Sequence, residues 1–413
     1  MKKKDFTASL ALFKEEKRLA VHSFHRYFGK LIPGIPAWAI ETFTNVGDKV
    51  LDPFSGSGTT VVEAKQRGRY GFGYDINPLA NFVAKIKTTY IPSEKLLLEL
   101  ERINVSIEMR NKSTINEPYV VNMDHWFRSE VKAELLILKE IINEIEDVDV
   151  RNFYTGVFSA FLRGVSNADP QHVFPGYSKR MRALDEAGRK IDVIASFNRA
   201  SKKRIQQISE LVVKSKPTKL ITGSFTSDET YNSKLEGQID LVVTNPPYIS
   251  SIRYLETMKI EMGFLEFLDS QSSYLALDKK VIGTERFYKA ELQQIPRTNY
   301  KNIDAQIESI KSVNLKMAKT VAEYFIEMDK VFFRLSKYIK NSGYLVIKIS
   351  DSKVRNQVIT TSDHFITICS KYGFKLVDNL IDEFDPNSRS LLTARNTYSG
   401  IMTFDHVIIL QKK

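Results

Sequence analysis

A glycine-rich turn between two short apolar strands constrains the fold of this chain more than any other feature. Residues 47–52 are predicted as a strand, and they run into the turn Pro53-Phe-Ser-Gly-Ser-Gly58. Helical spacing follows over residues 59–66, and a second strand over 71–75 ends on Asp75. Strand, turn, helix and strand make one βαβ unit, which predicts an α/β fold with a doubly wound, mostly parallel sheet.

The composition of this turn is typical of a nucleoside-binding loop. Gly56 and Gly58 permit positive φ angles and a close approach of the backbone to a ligand. The turn follows the carboxyl end of a strand, where open α/β sheets bind ligands, and Asp75 can accept hydrogen bonds from both ribose hydroxyls. Thr59 replaces the lysine of a phosphate-binding loop, and Val61 replaces the third glycine of a dinucleotide fingerprint. A purely structural glycine turn is the alternative.

A second motif, Asn245-Pro246-Pro247-Tyr248, directly follows a predicted strand at residues 239–244. Two consecutive prolines hold a rigid, extended turn. That turn would direct the Asn245 side-chain oxygen and the Asn245 or Pro246 carbonyl toward one point, where they match the two donors of a planar amine. Tyr248 supplies a flat face for stacking. A plain proline turn with a core tyrosine is the alternative.

Both motifs resemble those of a known family. Phe54–Gly58 and Asn245–Tyr248 are similar to motifs I and IV of S-adenosylmethionine-dependent amino DNA methyltransferases, the modification enzymes of restriction–modification systems. Residues 25–33 resemble motif X, which contacts the methionine end of the cofactor, and residues 343–351 and 404–411 resemble later strands of that family. The resemblance covers about residues 20–90 and 220–413 and implies a Rossmann-like methyltransferase core with a seven-stranded sheet.

The resemblance also assigns roles to individual residues. Asn245 and Pro246 would hold the target amine, Pro247 would fix the turn, and Tyr248 would stack on a base flipped out of the duplex. The cofactor S-adenosylmethionine would contact Tyr27, Lys30, Pro33, Asp52, Pro53, Phe54, Ser55, Gly56, Gly58, Thr59, Thr60, Asp75, Ile76, Asn77, Ser224 and Phe225. We expect no metal site, because no histidines have ligand spacing. Cys369 lies in a predicted helix, which disfavours chemistry at cytosine C5.

Two target bases are consistent with the sequence. An asparagine at position 245 favours N6 of adenine, whereas relatives that methylate N4 of cytosine mainly carry serine there. However, Ser250–Glu256 and Ile282–Thr284 resemble relatives with Ser-Pro-Pro-Tyr, so N4 of cytosine is the alternative. An RNA methyltransferase, a protein glutamine methyltransferase and a non-enzymatic DNA-binding protein are further alternatives.

The distribution of charge indicates where a polyanion would bind. The chain has 60 Lys+Arg and 49 Asp+Glu, a net charge of +11, and residues 176–219 alone contribute +8. We predict a catalytic core over residues 1–90 and 216–413, split by a mainly helical region for target recognition over 91–215. Duplex DNA phosphates would contact Lys179, Arg180, Arg182, Lys202, Lys203 and Arg204. A solvated helix face is the alternative.

Several weaker patterns complete the sequence-based prediction. Residues 92–150, 252–270 and 306–340 are predicted helical, 343–350 is predicted as a strand, and 271–305 is predicted irregular and polar. A single cysteine excludes an intrachain disulfide, and no signal peptide or long apolar run is evident. We therefore expect a cytoplasmic, nucleoid-associated protein of a bacterium or archaeon, without a membrane partner. The resemblance implies a cognate restriction endonuclease.

Overall fold

The computed structural model describes residues 6–15, 18–211, 216–249, 253–354, 357–383 and 404–413. Residues 250–252 of the segment that resembles the Ser-Pro-Pro-Tyr relatives lie outside this description. The strands are β1 Lys49–Asp52, β2 Tyr70–Asp75, β3 Thr218–Thr222, β4 Ile239–Thr244, β5 Ile339–Ile349, β6 Ser352–Val354, β7 Gln357–Ile359, β8 Phe374–Glu383 and β9 Phe404–Lys412.

Two helices precede β1 and the others lie between strands, with the largest group between β2 and β3. They are α1 Phe6–Glu15, α2 Gly34–Phe43, α3 Thr59–Gln66, α4 Pro78–Thr88, α5 Ser93–Met109, α6 Met123–Trp126, α7 Ser129–Asn143, α8 Val148–Val165, α9 Lys179–Glu186, α10 Val193–Ile208, α11 Tyr254–Thr257, α12 Lys259–Phe264, α13 Gln271–Lys279, α14 Lys301–Lys311, α15 Leu315–Tyr338 and α16 Thr361–Lys371. No described helix is both long and apolar enough to cross a membrane.

Seven strands form one sheet in the order β3-β2-β1-β4-β5-β9-β8. The pairs from β3 to β5 are parallel, whereas β9 runs antiparallel to both of its neighbours. The strand order reverses between β1 and β4, so the carboxyl ends of these two strands form the crevice where such sheets bind ligands. The predicted Rossmann-like methyltransferase core is confirmed.

Alternating side chains of the central strands build two apolar layers. In β1, Val50 packs in a cluster with α1 and α2, whereas its neighbour Leu51 packs in a cluster with α14, α15 and α16. The β4 residues Leu241 and Val242 divide in the same way. Because side chains of a strand alternate between faces, two covered faces require a nearly continuous apolar run, and β4 is buried along its whole length.

The helices between β2 and β3 add a third layer against the core. Helices α5, α7, α8 and α10 share an apolar cluster with Phe24, Val62 and Ile86 of the preceding segments and with α12. A Cβ built on Gly156 of α8 would lie 2.4 Å from Ile86 Cδ1. Within the described residues of the predicted region 91–215, α8 therefore packs tightly on α4, although the role of the region in target recognition stays a prediction.

The prediction of irregular structure for residues 271–305 was wrong at both ends of the segment, which contain α13 and the start of α14, whereas residues 280–300 hold neither an α-helix nor a strand. The start of α13 is fixed by a capping box. The Ser270 hydroxyl accepts from the Ser273 backbone N–H, and the Ser273 hydroxyl accepts from the Ser270 backbone N–H. Serine-rich sequence was interpreted as a loop, but here it provides a helix start.

Candidate active site

Asp52 ties together the ends of the two central strands. Its carboxylate accepts hydrogen bonds from the Thr60 hydroxyl at 2.8 Å, the Thr244 hydroxyl at 2.7 Å and the Phe54 N–H at 3.0 Å. Burial outweighs these donors and raises the pKa of Asp52 to about 6. Thr60 opens α3 and Thr244 ends β4, so one buried carboxylate fixes β1, β4 and α3 relative to each other.

The glycine-rich loop adopts a backbone that requires its glycines. Gly58 has φ +81° at the N-terminus of α3, and a Cβ there would lie 2.6 Å from Ala84 Cβ. The loop is also held from beneath, because the Lys87 ammonium is only 1% exposed and donates to the Ser57 carbonyl at 2.7 Å. Burial lowers the pKa of Lys87 well below its usual value.

Asp75 stands at the end of β2 and faces the same loop. One carboxylate oxygen accepts from the Gly56 N–H at 2.8 Å and the other accepts from the Asn77 N–H at 2.8 Å. Burial raises the pKa of Asp75 to about 6, despite these two donors. The Asn77 side chain caps α4. The Asp75 carboxylate is therefore fixed in orientation by the backbone on both sides.

Residues 25–33 form the opposite wall. The Lys30 ammonium donates to the carbonyls of His22 at 2.9 Å and His25 at 2.6 Å, and burial lowers its pKa to about 8. The Tyr27 ring lies against the glycine loop, since a Cβ on Gly56 would come within 3.0 Å of it. A cation and an aromatic ring thus face the loop from this segment.

The Asn-Pro-Pro-Tyr turn is held by contacts on three sides. The Asn245 side-chain N–H donates to the Gly29 carbonyl at 3.2 Å, and the Tyr248 hydroxyl donates to the Asn245 oxygen at 3.0 Å. From α15, the buried Tyr324 hydroxyl donates to the Pro247 carbonyl at 2.9 Å. The turn is therefore connected to residues 25–33 and to α15 by side-chain hydrogen bonds.

These segments surround one cleft. Most of the predicted cofactor residues line it: Tyr27, Lys30, Asp52, Pro53, Phe54, Ser55, Gly56, Thr59, Asp75, Ile76, Asn77, Ser224 and Phe225. Of the predicted catalytic turn, Asn245 and Pro247 line the cleft, whereas Pro246 is buried and Tyr248 is half-buried beside Asn245. The structure thus brings motifs that are far apart in sequence to one place.

Three predicted cofactor residues do not line the cleft, and each has a structural place instead. Pro33 precedes α2 at its N-terminus, Gly58 shapes the loop, and Thr60 binds Asp52. Conversely, the cleft is lined by residues that were not predicted: Gly29, Leu31, Ser57, Gly223, Tyr254, Leu255, Lys280, Val281 and Ile282. Tyr254 and Ile282 belong to the two flanking segments that resemble the Ser-Pro-Pro-Tyr relatives, so a usable signal was present for them.

The chemistry of the cleft fits a nucleoside joined to an amino acid. The hydroxyls of Ser55 and Ser57 are buried without a hydrogen-bond partner, which is unusual unless a ligand completes them. Lys30 offers a cation to a carboxylate, and Asp75 offers a fixed carboxylate to a ribose diol. S-adenosylmethionine carries both groups, a carboxylate on its methionine part and a diol on its ribose.

The predicted phosphate contacts divide into two sets. Lys179, Arg182, Lys202 and Lys203 are exposed, as a backbone contact requires. Arg180 instead makes two hydrogen bonds to the buried Asp169, at 2.5 and 3.1 Å, which also lower the pKa of that carboxyl. Arg204 donates to the backbone carbonyls of Phe24 and Ala200. Arg180 is therefore paired with a carboxylate, whereas the Arg204 bonds to carbonyls leave its charge unbalanced, and contact with DNA stays a prediction for all six residues.

Comparisons with known proteins agree with this geometry. A family model described as DNA methylase matches residues 33–84. The Type II methyltransferase M.MvaI of Kocuria varians is 24% identical, over 94% of this chain and 90% of that protein. M.BsoBI of Geobacillus stearothermophilus, also a Type II methyltransferase, is 21% identical over 90% of this chain and 82% of its own length.

Solved structures are matched with much lower identity. A SAM-dependent methyltransferase of Methanosarcina mazei is 9% identical over 90% of this chain and 96% of that one, with a TM-score of 0.32. The family model and the full-length relatives carry the assignment. The predicted resemblance to the amino DNA methyltransferases of restriction–modification systems is therefore confirmed.

Proposed function

We propose that this protein transfers a methyl group from S-adenosylmethionine to the exocyclic amine of a base in duplex DNA at a specific sequence. The single observation that carries the proposal is the position of Asn245. Its side chain lines the cleft that also holds the glycine-rich loop and Asp75, and its amide is fixed between Gly29 and Tyr248. An acceptor for an amine therefore stands beside a nucleoside-type site.

The methyl donor is S-adenosylmethionine, which supplies an electrophilic methyl group on a sulfonium. Lys30 would bind its carboxylate, Asp75 would accept from its ribose hydroxyls, and Ser55 and Ser57 would complete their hydrogen bonds on it. The fixed loop between Asp52 and α3 would keep these groups in place. No nucleophile of the protein is required, because the amine itself would attack the methyl group. The nitrogen–methyl bond would form as the methyl–sulfur bond breaks, a neutral thioether would leave, and one amine proton would pass to solvent.

Asn245 and Pro246 would act on the amine. The lone pair of an exocyclic amine is delocalised into the base, so the nitrogen is a weak nucleophile. Hydrogen bonds to the Asn245 oxygen and to the Pro246 carbonyl would hold both hydrogens and favour a pyramidal nitrogen with its lone pair free. The base must leave the duplex to reach this turn, where Tyr248 would stack on it.

The finer choice of target base rests on one residue. Asparagine at position 245 favours N6 of adenine, and N4 of cytosine is the alternative. Both amines present two hydrogens to the same pair of acceptors, so the proposed mechanism is the same for either.

The test combines one substitution with chemical identification of the product. We expect Asn245→Ala to lower the rate of methyl transfer into duplex DNA by about 100-fold, because the variant loses the hydrogen bond that the amine donates to the Asn245 oxygen in the transition state. The affinity for S-adenosylmethionine should stay within about twofold, since the Asp75 side of the cleft is untouched. Asn379→Ala, on the edge strand β8, is the matched control and should retain activity.

Methyl transfer is measured with tritiated donor into duplex DNA, RNA and protein in parallel. Digestion of the labelled DNA to nucleosides then distinguishes N6-methyladenine from N4-methylcytosine. Full activity of Asn245→Ala on DNA would overturn the mechanism. Label that enters only RNA or only protein would overturn the proposed substrate.

A further inference from the structure

Beside residues 25–33 lies an open cleft that the active site does not include. It is lined by Arg26, by Arg163 of α8, and by Arg199 and Arg204 of α10. Among the described residues that line it there is no carboxylate. Four side chains that remain protonated at neutral pH therefore meet in one depression.

Two of these guanidinium groups are oriented by neutral acceptors. Arg204 donates to the Phe24 carbonyl at 2.9 Å and to the Ala200 carbonyl at 3.1 Å. Arg26 donates to two carbonyls of residues 170–172. A guanidinium has five N–H donors, and these bonds use only two in each case. Carbonyl acceptors fix the direction of the charge without neutralising it.

Arg163 adds a third, deeply placed charge. It is 5% exposed and donates to the Thr257 carbonyl at 2.7 Å, while its Nε has no hydrogen-bond partner. The Glu261 carboxylate lies 3.8 Å from Nε and balances one of the four charges. Asp169 also acts on Arg26, but it is paired with Arg180. Burial, and then repulsion from Arg163, lowers the pKa of Arg26 to about 10. The cleft keeps a net positive charge that an anion would relieve.

The cleft is adjacent to the Asn-Pro-Pro-Tyr turn. Arg26 is three residues before Gly29, whose carbonyl accepts from Asn245, so the Cα atoms of Arg26 and Gly29 are at most about 11 Å apart. Arg163 donates to Thr257, which lies in the segment that follows the turn. Both arginines therefore belong to the structure that positions the proposed amine acceptor.

We propose that this arginine cleft binds a phosphodiester of the DNA backbone next to the nucleotide whose base enters the Asn245 turn. The planar fork of a guanidinium matches the paired oxygens of a phosphate. The exposed Lys202 and Lys203 follow Arg199 at i+3 and i+4 on α10, so the positive surface continues along the helix. This inference rests on the proposed function, since it requires a DNA substrate.

The experiment measures binding of a fluorescently labelled DNA duplex by anisotropy over a series of salt concentrations. Phosphate contacts carry no sequence information, so an arbitrary duplex is suitable. Arg199→Ala is the principal variant, because Arg199 is exposed and its described contact is the Ser196 hydroxyl at 3.0 Å. Arg102→Ala is the matched control, since Arg102 is 67% exposed on α5 and pairs with Glu99 one turn away.

We expect Arg199→Ala to raise the Kd for duplex DNA by about tenfold. The slope of log Kd against log salt should fall by about one, because one phosphate contact is lost. Arg26→Gln should act in the same direction. Arg102→Ala should change neither quantity, and the affinity for S-adenosylmethionine should be constant in all variants.

The possible outcomes separate this inference from the proposed function. If wild type methylates DNA but the salt slope of Arg199→Ala and Arg26→Gln equals that of wild type, the cleft is not a phosphate site. A second outcome is that wild type binds duplex DNA and the salt slopes of the variants show the loss of one phosphate contact, but no methyl transfer occurs. In that case the arginine cleft is supported as a phosphate site and the proposed function is contradicted. If wild type binds RNA and not duplex DNA, both fall.

Discussion

At the scale of single residues, the site is built on buried charges that are held by the backbone and by hydroxyls. Asp52 and Asp75 accept from threonine hydroxyls and backbone N–H groups, and Lys87 donates to a loop carbonyl. Hydrogen bonds of this kind in a low-dielectric interior are strong and directional. They fix the geometry of the loop.

Tyr324 illustrates how such a bond positions a reacting group. Its hydroxyl donates to the Pro247 carbonyl, so we treat it as a positioning residue for the Asn245 turn. We expect Tyr324→Phe to lower kcat for DNA methylation by on the order of tenfold, because the turn loses its fixed position. The affinity for S-adenosylmethionine should stay within about twofold.

Tyr338→Phe provides the control on the same helix. Tyr338 is equally buried, and its hydroxyl accepts from the Asn232 N–H at 2.8 Å, outside the cleft. Both variants should cost about 1–3 kcal/mol in unfolding free energy, because each leaves a buried polar group unpaired. An equal loss of kcat in the two variants would show that Tyr324 acts only through stability.

At the scale of secondary-structure elements, the glycine loop and the packing of α3 on α4 depend on each other. Gly58 needs its positive φ to start α3, and its missing side chain lets α4 approach. These two requirements can be separated, because Gly188 after α9 has nearly the same φ, +80°, with open space around its Cβ position. Comparing substitutions at Gly58 and Gly188 therefore separates the free-energy cost of a steric contact from the cost of backbone strain.

We expect Gly188→Ala to lower the free energy of unfolding by about 1–2 kcal/mol, because alanine is strained in a left-handed backbone conformation. Gly58→Ala should cost about 2–5 kcal/mol, since overpacking against Ala84 is added. Thermal unfolding midpoints of the two variants report the difference. Equal midpoints would mean that α4 moves away freely, and the packing would then not define the loop.

At the scale of the whole molecule, the helices between β2 and β3 are not an independent unit. Their apolar cluster includes Phe24, Val62 and Ile86, which belong to segments around the sheet. Domains that share a large hydrophobic core unfold together, whereas domains joined by small polar interfaces do not. The catalytic core and the inserted helices should therefore form one cooperative unit.

The chain contains two tryptophans, and they report on the two parts separately. Trp38 of α2 lies in the layer beneath the sheet, and Trp126 of α6 lies in the helical cluster. In Trp38→Phe and Trp126→Phe, the fluorescence of the remaining tryptophan should give the same urea midpoint as far-UV circular dichroism. A midpoint for Trp126 that differs from the dichroism midpoint would contradict shared cooperativity.

Local patterns in the sequence were sufficient for the elements that carry the site. The boundaries predicted for α3 and β4 are those observed, because a glycine loop and a doubly buried strand leave strong signals. Long-range contacts were not accessible in this way. Arg204 contacts Phe24 across 180 positions, and Tyr324 reaches Pro247 across 77, so no spacing rule could pair them. Lys280 and Val281 line the cleft through such long-range contacts as well.

The Tyr248 hydroxyl donates to the Asn245 side-chain oxygen, so the proposed acceptor for the amine is already hydrogen-bonded within the turn itself. An incoming amine that donates to the Asn245 oxygen competes with the Tyr248 hydroxyl, so one hydrogen bond is exchanged for another. A base with a carbonyl in place of the amine presents an acceptor, and no donor, at that exocyclic position. If it displaced the hydroxyl, it would leave the Asn245 oxygen unpaired, at a cost of about 1–3 kcal/mol. Under the proposed function, this bond would make the turn discriminate against thymine and deaminated bases before methyl transfer.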